Sequence, residues 1–428
     1  MTNGMEQIAA GNHNALALPR AAAYFAADDS ALAMCVGFLF SVRTIFVLVS
    51  ARWLNIGSEA GVFAGFLLSA ALIFAALVAA IGRPAQTLGF LLRARPFQWV
   101  LWYLAFAACS LLWGVTASPA SSALYWVALV SDVALVVLLF RAYSAESAMR
   151  SLVAGFIAGT LLLSAVAWIM PPESDLRLGD IDYFNTNQIG NLCALALLLA
   201  PLVARRGSFL WRATAVILAI TLLRTLSKST LIAFVAAQAY RLVRDPAISR
   251  RGKWLMVIGA FIALACFWTL LDAYYAVYTT AGNQAETLTG RTAIWAWSIG
   301  AAMQHPWIGN GFDAMWKVAP PFGGELFEAR HAENELLQQF FAYGVCGVVL
   351  LAGVYGSLWR TMRRLPRQFA PASFVALLVY AIVRGITEAE PFDLLLPLWL
   401  ITTLAFLIQV RLNEPHYAGA PVLSRGSR

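Results

Sequence analysis

Two cations stand four residues apart between two apolar runs of this 428-residue chain: Arg224 ends one run and Lys228 begins the next. Residues four apart lie on one face of a helix, so a helix continuing through this turn would present both charges together. Such a pair suits an anion such as a diphosphate. The alternative is that both side chains extend to lipid phosphates. The topology given below puts Arg291 and Arg384 on the same membrane side, which favours an anion site.

A second set of candidates lies in the segment 330–335, whose sequence is Arg-His-Ala-Glu-Asn-Glu. It brings His331, one of four histidines in the chain, together with the carboxylate of Glu333. Beside an anion site, an imidazole or a carboxylate can accept the proton of an attacking hydroxyl. The structural alternative for this segment is helix capping by Asn334.

Asp180 and Asp182 form an acidic pair of the kind that holds a metal and a diphosphate in many glycosyltransferases. No His or further acid stands at ligand spacing, so the favoured interpretation is an acidic turn that is solvated in a loop.

Arg43 lies well inside an apolar run. An unpaired charge at the centre of a bilayer costs roughly 2.5–3.5 kcal/mol on insertion scales. The residue therefore needs an ion-pair partner or a wet cavity, and either a structural or a functional role fits.

The composition defines the elements that must position these residues. The chain is 61% hydrophobic and 12% charged, with a mean hydropathy of +0.71, whereas about a quarter of residues in soluble domains are charged. Apolar runs of about 20 residues, enough to cross a hydrocarbon core of about 30 Å, recur along the sequence. We predict an all-α polytopic membrane protein with about twelve transmembrane helices. They are expected near 31–50, 60–82, 97–117, 121–140, 151–170, 188–204, 208–224, 229–243, 254–273, 335–358, 368–386 and 392–410.

The basic residues predict the orientation. Most of the 30 Lys and Arg residues fall in alternate loops and in the two tails, which should be cytoplasmic. Both termini are then cytoplasmic in a bacterial inner membrane, and the candidate site faces the periplasm. The net charge of +8 reflects this topology and does not indicate nucleic-acid binding. The five cysteines fall in the apolar runs and suggest neither disulfides nor a zinc site.

The predicted organisation has five parts: a tail (1–30), nine helices (31–273), a large periplasmic loop (274–334), three helices (335–410) and a tail (411–428). The first apolar run lacks a basic leader and is expected to remain as an anchor. The loop is far longer than a connection requires and rich in aromatic residues, so we expect it to be ordered and partly helical. Within the loop, we predict a helix from Thr292 to Gln304, which Pro306 ends.

Four segments, in this order and with one oversized loop before the tenth helix, resemble the O-antigen ligase and polymerase family. The likeness covers roughly half of the chain. The segments are Tyr183-Phe184-Asn185-Thr186-Asn187-Gln188-Ile189-Gly190; Thr225-Leu226-Ser227-Lys228-Ser229-Thr230; Gly290-Arg291-Thr292-Ala293-Ile294-Trp295 followed by 305–312 (His-Pro-Trp-Ile-Gly-Asn-Gly-Phe); and 331–338 leading into 343–347 (Tyr-Gly-Val-Cys-Gly).

This resemblance implies a membrane glycosyltransferase of the C-type architecture that takes glycan from undecaprenyl diphosphate on the periplasmic face. A ligase passes the glycan to the sugar of the lipid A core. The cations corresponding to Lys228 and Arg291 hold the diphosphate, and the histidine corresponding to His331 helps to activate the acceptor. No cofactor or metal is implied. We expect direct displacement with inversion, because cationic side chains can stabilise the departing diphosphate.

The sequence departs from the family pattern at two positions. Lys228 stands where the family usually has Arg, which loses the bidentate fork for phosphate, although Arg224 is nearby. In many members the histidine directly precedes the asparagine, whereas here Glu333 holds that place. The base is therefore either His331 or Glu333. The matching segments add Asn187, Asn334 and Trp295 as candidates for substrate binding.

Three alternatives remain. An O-antigen polymerase shares donor and fold but adds glycan to another lipid-linked chain. A transporter or flippase also commonly has twelve helices, but no repeat relates the two halves of this chain, and the candidate residues gather at one face instead of the midplane. A scaffold of a polysaccharide assembly complex would keep its activity when the basic cluster was removed.

Overall fold

The computed structural model describes residues 30–82, 84–171, 176–180, 182–203, 208–246, 248–270, 272–273, 276, 288–322, 328–366 and 371–413. The predicted tails, 1–30 and 411–428, lie almost wholly outside these ranges, as do much of the first part of the long loop and residues 323–327 within it. Over the described residues the fold is helical. The helices are α1 Ala31–Leu48, α2 Ser58–Gly82, α3 Leu88–Leu92, α4 Arg95–Ser110, α5 Pro119–Ala142, α6 Ala145–Ile169, α7 Thr186–Val203, α8 Phe209–Arg224, α9 Lys228–Arg244, α10 Arg250–Cys266, α11 Leu288–Ala302, α12 Glu335–Arg363, α13 Pro371–Arg384 and α14 Leu398–Leu412.

A helix lies at each of the twelve predicted positions, and α3 and α11 are additional. Among the described helices, six are long and apolar enough to cross a membrane: α1 with the π-helical turn Val49–Trp53 that extends it, and α2, α5, α6, α7 and α12. Helices α13 and α14 are shorter but apolar. The prediction of an all-α polytopic membrane protein is confirmed, whereas a total of twelve spans stays a prediction.

Helix α2 illustrates why these helices suit lipid. Its buried residues are all small: Gly61, Gly65, Ser69, Ala76 and Ala80. Most of its large apolar side chains point outward instead, and those of Phe74 and Ile81 are 69% and 72% exposed. In water such a surface would be an aggregation hazard. In a bilayer it is solvated by lipid tails, while the small residues permit close helix packing.

Helices α1 and α6 pack closely along their length. A Cβ atom added to Gly37 would lie 1.8 Å from the carbonyl oxygen of Leu152, and one added to Gly155 would lie 1.9 Å from that of Met34. Only glycine therefore permits this approach of the two backbones. The contact fixes α1, and with it Arg43, against the centre of the bundle.

The described part of the long loop has a hydrophobic cluster of its own. Ile294 and Ala302 of α11 are buried in it with Met315 and Phe341, and Trp297 and Ala301 pack against it. The predicted helix in this segment is confirmed with different bounds, since α11 begins four residues earlier than expected and includes Arg291. The cluster holds α11 against α12.

Helix α12 is interrupted at Gly344, whose backbone angles are φ 62° and ψ −152°. The break frees main-chain groups that would otherwise bond within the helix. The N–H groups of Val345 and Cys346 donate to the carbonyl oxygens of Pro306 and Trp307 at 2.8 and 3.2 Å. In return, the carbonyl oxygens of Phe341 and Ala342 accept from the N–H groups of residues 310 and 311. The loop is thereby locked onto α12 just beyond its first turns.

Candidate functional site

Four parts of the chain meet at the carboxylate of Glu388, which lies in the loop 385–397 between α13 and α14. Its Oε1 accepts hydrogen bonds from Ser229 Oγ at 2.9 Å, Arg291 Nη2 at 3.2 Å and Asn187 Nδ2 at 3.4 Å. Its side chain is 4% exposed. We call Glu388, Asn187, Ser229 and Arg291 the Glu388 cluster. It joins the start of α7, the start of α9 and α11 at one buried oxygen.

The turn between α8 and α9 brings two predicted cations beside this cluster. Leu226 has a left-handed backbone, φ 54°, so α8 ends at Arg224 and a new helix begins at Lys228. The predicted turn between these two helices is confirmed, and the condition for a shared helix face, a helix that continues from Arg224 to Lys228, is not met. Arg224 Nη1 donates to the carbonyl oxygen of Leu176, and Lys228 is exposed at the first position of α9. Thr225 anchors the turn, because its carbonyl oxygen accepts from two side chains of the 177–186 region.

Glu333 adjoins the Glu388 cluster from the other side. Its Oε2 lies 3.5 Å from Arg291 Nη2, and its carbonyl oxygen accepts from Trp295 Nε1 at 3.3 Å. Its backbone is left-handed, φ 50°, a conformation that costs about 1–2 kcal/mol for a residue with a Cβ. The surrounding contacts offset this cost. The left-handed backbone directs the Glu333 N–H toward His331 Nδ1, which lies 3.3 Å away.

His331 is held as a neutral imidazole. Burial lowers its pKa below the usual value, and Arg384 and Arg291 act in the same direction, while Glu388 and Glu390 oppose them. At neutral pH the ring therefore carries one proton. Because Nδ1 accepts a main-chain N–H, that proton lies on Nε2.

A cavity of about 510 Å³ opens beside these residues. Of the predicted site residues, His331, Glu333, Arg384 and Asn187 line it, and Glu388 lines it too. Arg384 is 2% exposed, and its Nη1 donates to Glu390 Oε1 at 3.3 Å. The cavity is therefore bordered by the candidate base and by one buried cation.

The other predicted residues lie around this cavity without lining it: Arg224, Lys228, Arg291, Trp295 and Asn334. The Asn334 side chain is engaged at both ends. Its Oδ1 accepts from the Leu337 N–H at 2.9 Å, which caps α12, and its Nδ2 donates to the Ile386 carbonyl oxygen at 2.9 Å. The capping role considered from the sequence is the one seen.

Arg43 has the partner that its position required. Its guanidinium binds both carboxylate oxygens of Asp132 on α5, with Nη1 2.6 Å from Oδ2, and it also donates to Ser69 Oγ at 3.2 Å. Both members of this ion pair line the cavity. The charge is thus both paired and beside an open space.

Asp180 and Asp182 bind an arginine in this structure. Arg52 Nε lies 2.8 Å from Asp180 Oδ2, and its Nη2 lies 2.7 Å from Asp182 Oδ2. Partial burial works to raise the pKa of Asp180, but hydrogen bonds from Arg52 and two main-chain N–H groups hold it below the usual value. Within the described residues no three His, Cys, Asp or Glu side chains cluster as a metal site would require.

Sequence reasoning missed the acidic half of the site. Glu388 and Glu390 follow Arg384 closely in the sequence, and an acidic segment beside a predicted buried cation was the available signal. Asp132 is an acid inside an apolar run, which is as costly there as Arg43. The same argument that demanded a partner for Arg43 could therefore have proposed Asp132.

Two comparisons with known proteins find similarity to one family. Residues 213–352 match the family described as O-antigen ligase, a range that includes Arg224, Lys228, Arg291, His331 and Glu333. A protein named O-antigen ligase from Pseudomonas aeruginosa is 28% identical over 149 residues, which cover 32% of this chain and 35% of that protein. The alignment thus spans about a third of the relative. The similarity to the O-antigen ligase family therefore lies in residues 213–352 of this chain.

Proposed function

We propose that the chain is an O-antigen ligase, which transfers glycan from undecaprenyl diphosphate to the lipid A core sugar at the periplasmic face of the bacterial inner membrane. The observation that carries this proposal is the Glu388 cluster. It brings Arg291, from a loop helix, to a candidate base and to the turn that bears Arg224 and Lys228. These residues lie within or beside the part of the chain that matches the family.

In this proposal the cations bind the donor diphosphate. Arg291 is held by two carboxylates, and Lys228 stands at the exposed start of α9, where the N-terminal end of a helix also favours an anion. Arg224 supports the turn, and Arg384 borders the cavity. As the anomeric C–O bond to the diphosphate breaks, its electron pair stays on the leaving oxygen, and these cations stabilise that charge.

The acceptor hydroxyl attacks the anomeric carbon from the opposite side, so the configuration inverts, and its proton passes to a base. Glu333 and His331 both border the cavity. His331 Nδ1 already accepts a main-chain N–H, so the neutral ring offers Nε2–H as a donor. We therefore assign Glu333 as the base and His331 as the group that orients the acceptor or hydrogen-bonds it.

This assignment is tested with Glu333→Gln and His331→Gln at matched expression. The glutamine side chain in each variant is neutral at all pH values and cannot act as a base. We expect Glu333→Gln to lose kcat over the whole pH range. We expect His331→Gln to lose less activity, mainly through a higher KM for the acceptor. The reverse pattern would move the base to His331.

The acceptor distinguishes a ligase from a polymerase. In a strain that lacks its own ligase, the chain should restore long glycan on full-length lipid A core, and truncation of the core should abolish this. Core capped normally by single, unpolymerised units in a strain deleted for this chain would instead favour the polymerase.

The proposed chemistry uses cationic side chains and no divalent metal. Transfer by the purified protein should therefore persist in EDTA. Loss of activity in EDTA with recovery on adding magnesium would contradict this part of the proposal.

A further inference from the structure

One wall of the cavity has no role in the chemistry above. That wall carries polar side chains from membrane helices: Arg43 of α1, Asp132 of α5, and Gln188 and Asn191 of α7. Polar groups at these positions are costly unless they are paired or functional. We propose that this wall is a saccharide subsite, which binds the sugar next to the scissile bond. The inference rests on the proposed function for its role in transfer.

Charge favours a neutral ligand in the cavity. The charged side chains that line it are three arginines (Arg43, Arg330 and Arg384) and five acids (Asp132, Glu333, Glu388, Glu390 and Asp393). Two of the arginines are already paired with acids of the same cavity, Arg43 with Asp132 and Arg384 with Glu390. A diphosphate would meet a surplus of carboxylates there. Hydroxyl groups, by contrast, can donate to carboxylates and accept from arginine and amide groups.

Aromatic rings supply the second feature of a sugar site. Tyr125 and Phe392 stack with ring centroids 4.1 Å apart, Phe40 and Trp399 stack at 4.7 Å, and all four line the cavity. Rigid aromatic side chains provide contact area for the apolar faces of a sugar ring at low entropic cost. The polar side chains of the wall can bind the hydroxyl groups of a sugar ring, and the aromatic side chains can contact its apolar faces.

Two amide side chains of this wall can form hydrogen bonds with a ligand. Asn191 Oδ1 accepts from Tyr380 OH at 2.8 Å, which fixes the orientation of that amide at the cavity. Gln188 is exposed, and its side chain has no hydrogen bond to any residue that the structure describes. The amide of Gln188 is therefore available to a ligand. A volume of about 510 Å³ suits one or two sugar rings, since it lies within the range of about 300–1,000 Å³ that small-molecule sites occupy.

The subsite and the anion site are then separate. Of the four cations proposed to bind the diphosphate, Arg384 borders the cavity, whereas Arg224, Lys228 and Arg291 do not line it and form its cationic rim at the 224–229 turn and α11. A lipid-linked donor would place its diphosphate at this rim and its first sugar in the cavity, with Glu388 at the boundary between them.

The test is photo-crosslinking of the purified full-length chain with a diazirine derivative of N-acetylglucosamine, followed by peptide mapping. We expect label on peptides of α1, α5 and α7, displaced by excess N-acetylglucosamine and not by inorganic pyrophosphate. Gln188→Met, which conserves volume, and Tyr125→Leu should each weaken labelling about fivefold, the value of one hydrogen bond or one ring contact. Gln98→Met, in α4 and outside the cavity lining, is the matched control and should label as wild type.

Label that misses these three helices, or that Gln188→Met and Tyr125→Leu both leave unchanged, would overturn the subsite. Displacement of the label by pyrophosphate would also overturn it, because the cavity would then be an anion site. Pyrophosphate binding that depends on Arg291, measured calorimetrically on the same preparation, reports separately on the proposed function. The anion site can thus stand when the subsite fails, and the subsite can stand when pyrophosphate does not bind.

Discussion

Replacing Glu388 with Gln should make the chain bind pyrophosphate more tightly. The amide retains an oxygen that can accept from Ser229, Asn187 and Arg291, so the cluster should keep its shape, but the negative charge beside Arg291 is lost. A carboxylate and a phosphate group that share one guanidinium repel each other while the donor is bound. The substitution removes that repulsion.

The size of the effect can be estimated from Coulomb's law. Two unit charges about 5 Å apart at an effective dielectric constant of about 20 repel by roughly 3 kcal/mol. Little of this is screened by bulk water, because the Glu388 side chain is 4% exposed. Local rearrangement offsets part of it, so we expect a Kd about tenfold lower, which corresponds to about 1.4 kcal/mol.

The assay is isothermal titration of inorganic pyrophosphate into purified wild type, Glu388→Gln and the control Asp182→Asn. The control removes one carboxylate from another arginine, Arg52, and should leave the Kd unchanged. Equal or weaker binding by Glu388→Gln, in a protein that melts like wild type, would refute the reasoning. It would mean that Arg291 does not provide the anion contact or that Glu388 does not oppose it.

Three further predictions concern the framework of the site. Gly344→Ala should prevent accumulation of folded protein in fluorescence-detected gel filtration, because its Cβ would lie 2.4 Å from the Trp307 carbonyl carbon. The control Gly356→Ala lies in the same helix with open space around it and should be tolerated. Equal yields of the two variants would contradict the assigned kink. Arg43→Leu should destabilise the protein by about 3–5 kcal/mol, because it leaves the buried charge of Asp132 unpaired, and Asp132→Leu should cost less, because the Arg43 side chain is 31% exposed. The double variant should recover much of the loss in thermal melts, and additive losses would argue against the pair. For His331 the folded-state pKa is lowered, so the folded protein binds the proton less well than the unfolded chain, and the contribution to stability is lost as pH falls below about 6.5. The Tm of wild type should therefore fall more between pH 7 and 5 than that of His331→Gln, and parallel curves would show that the imidazole is not buried as neutral.

Much of the fold could be predicted from the sequence because the membrane imposes a simple rule. A run of apolar residues such as 58–82 must form a helix to satisfy its backbone in lipid, and the structure has a helix at each predicted run. The ends were less accurate. Helix α11 begins at Leu288 and so includes Arg291, which the sequence had placed before the helix.

The site was only partly predictable. Cationic residues on one membrane side could be recognised from their cost, and the break between Arg224 and Lys228 was predicted. The geometry of the turn was not, because it depends on the left-handed backbone of Leu226, a residue type that carries no such signal. The pairing of Arg43 with Asp132 joins residues 89 positions apart. No local pattern reports such a contact. Glu388 likewise acquires its role only when α7, α9 and α11 meet.

The proposed function is tested by measuring transfer of glycan from undecaprenyl diphosphate to lipid A core by the purified chain in liposomes, comparing wild type with Arg291→Ala and with Arg330→Ala. Arg330 lines the cavity and stacks its guanidinium over Trp316, but it has no assigned role in binding the diphosphate. We predict transfer by wild type, a loss of at least about a hundredfold in Arg291→Ala, and a much smaller loss in Arg330→Ala. The hundredfold loss is in the range seen when a group that stabilises transition-state charge is removed. Transfer by Arg291→Ala at the wild-type rate, or no transfer by a well-folded wild type, would contradict the proposed function.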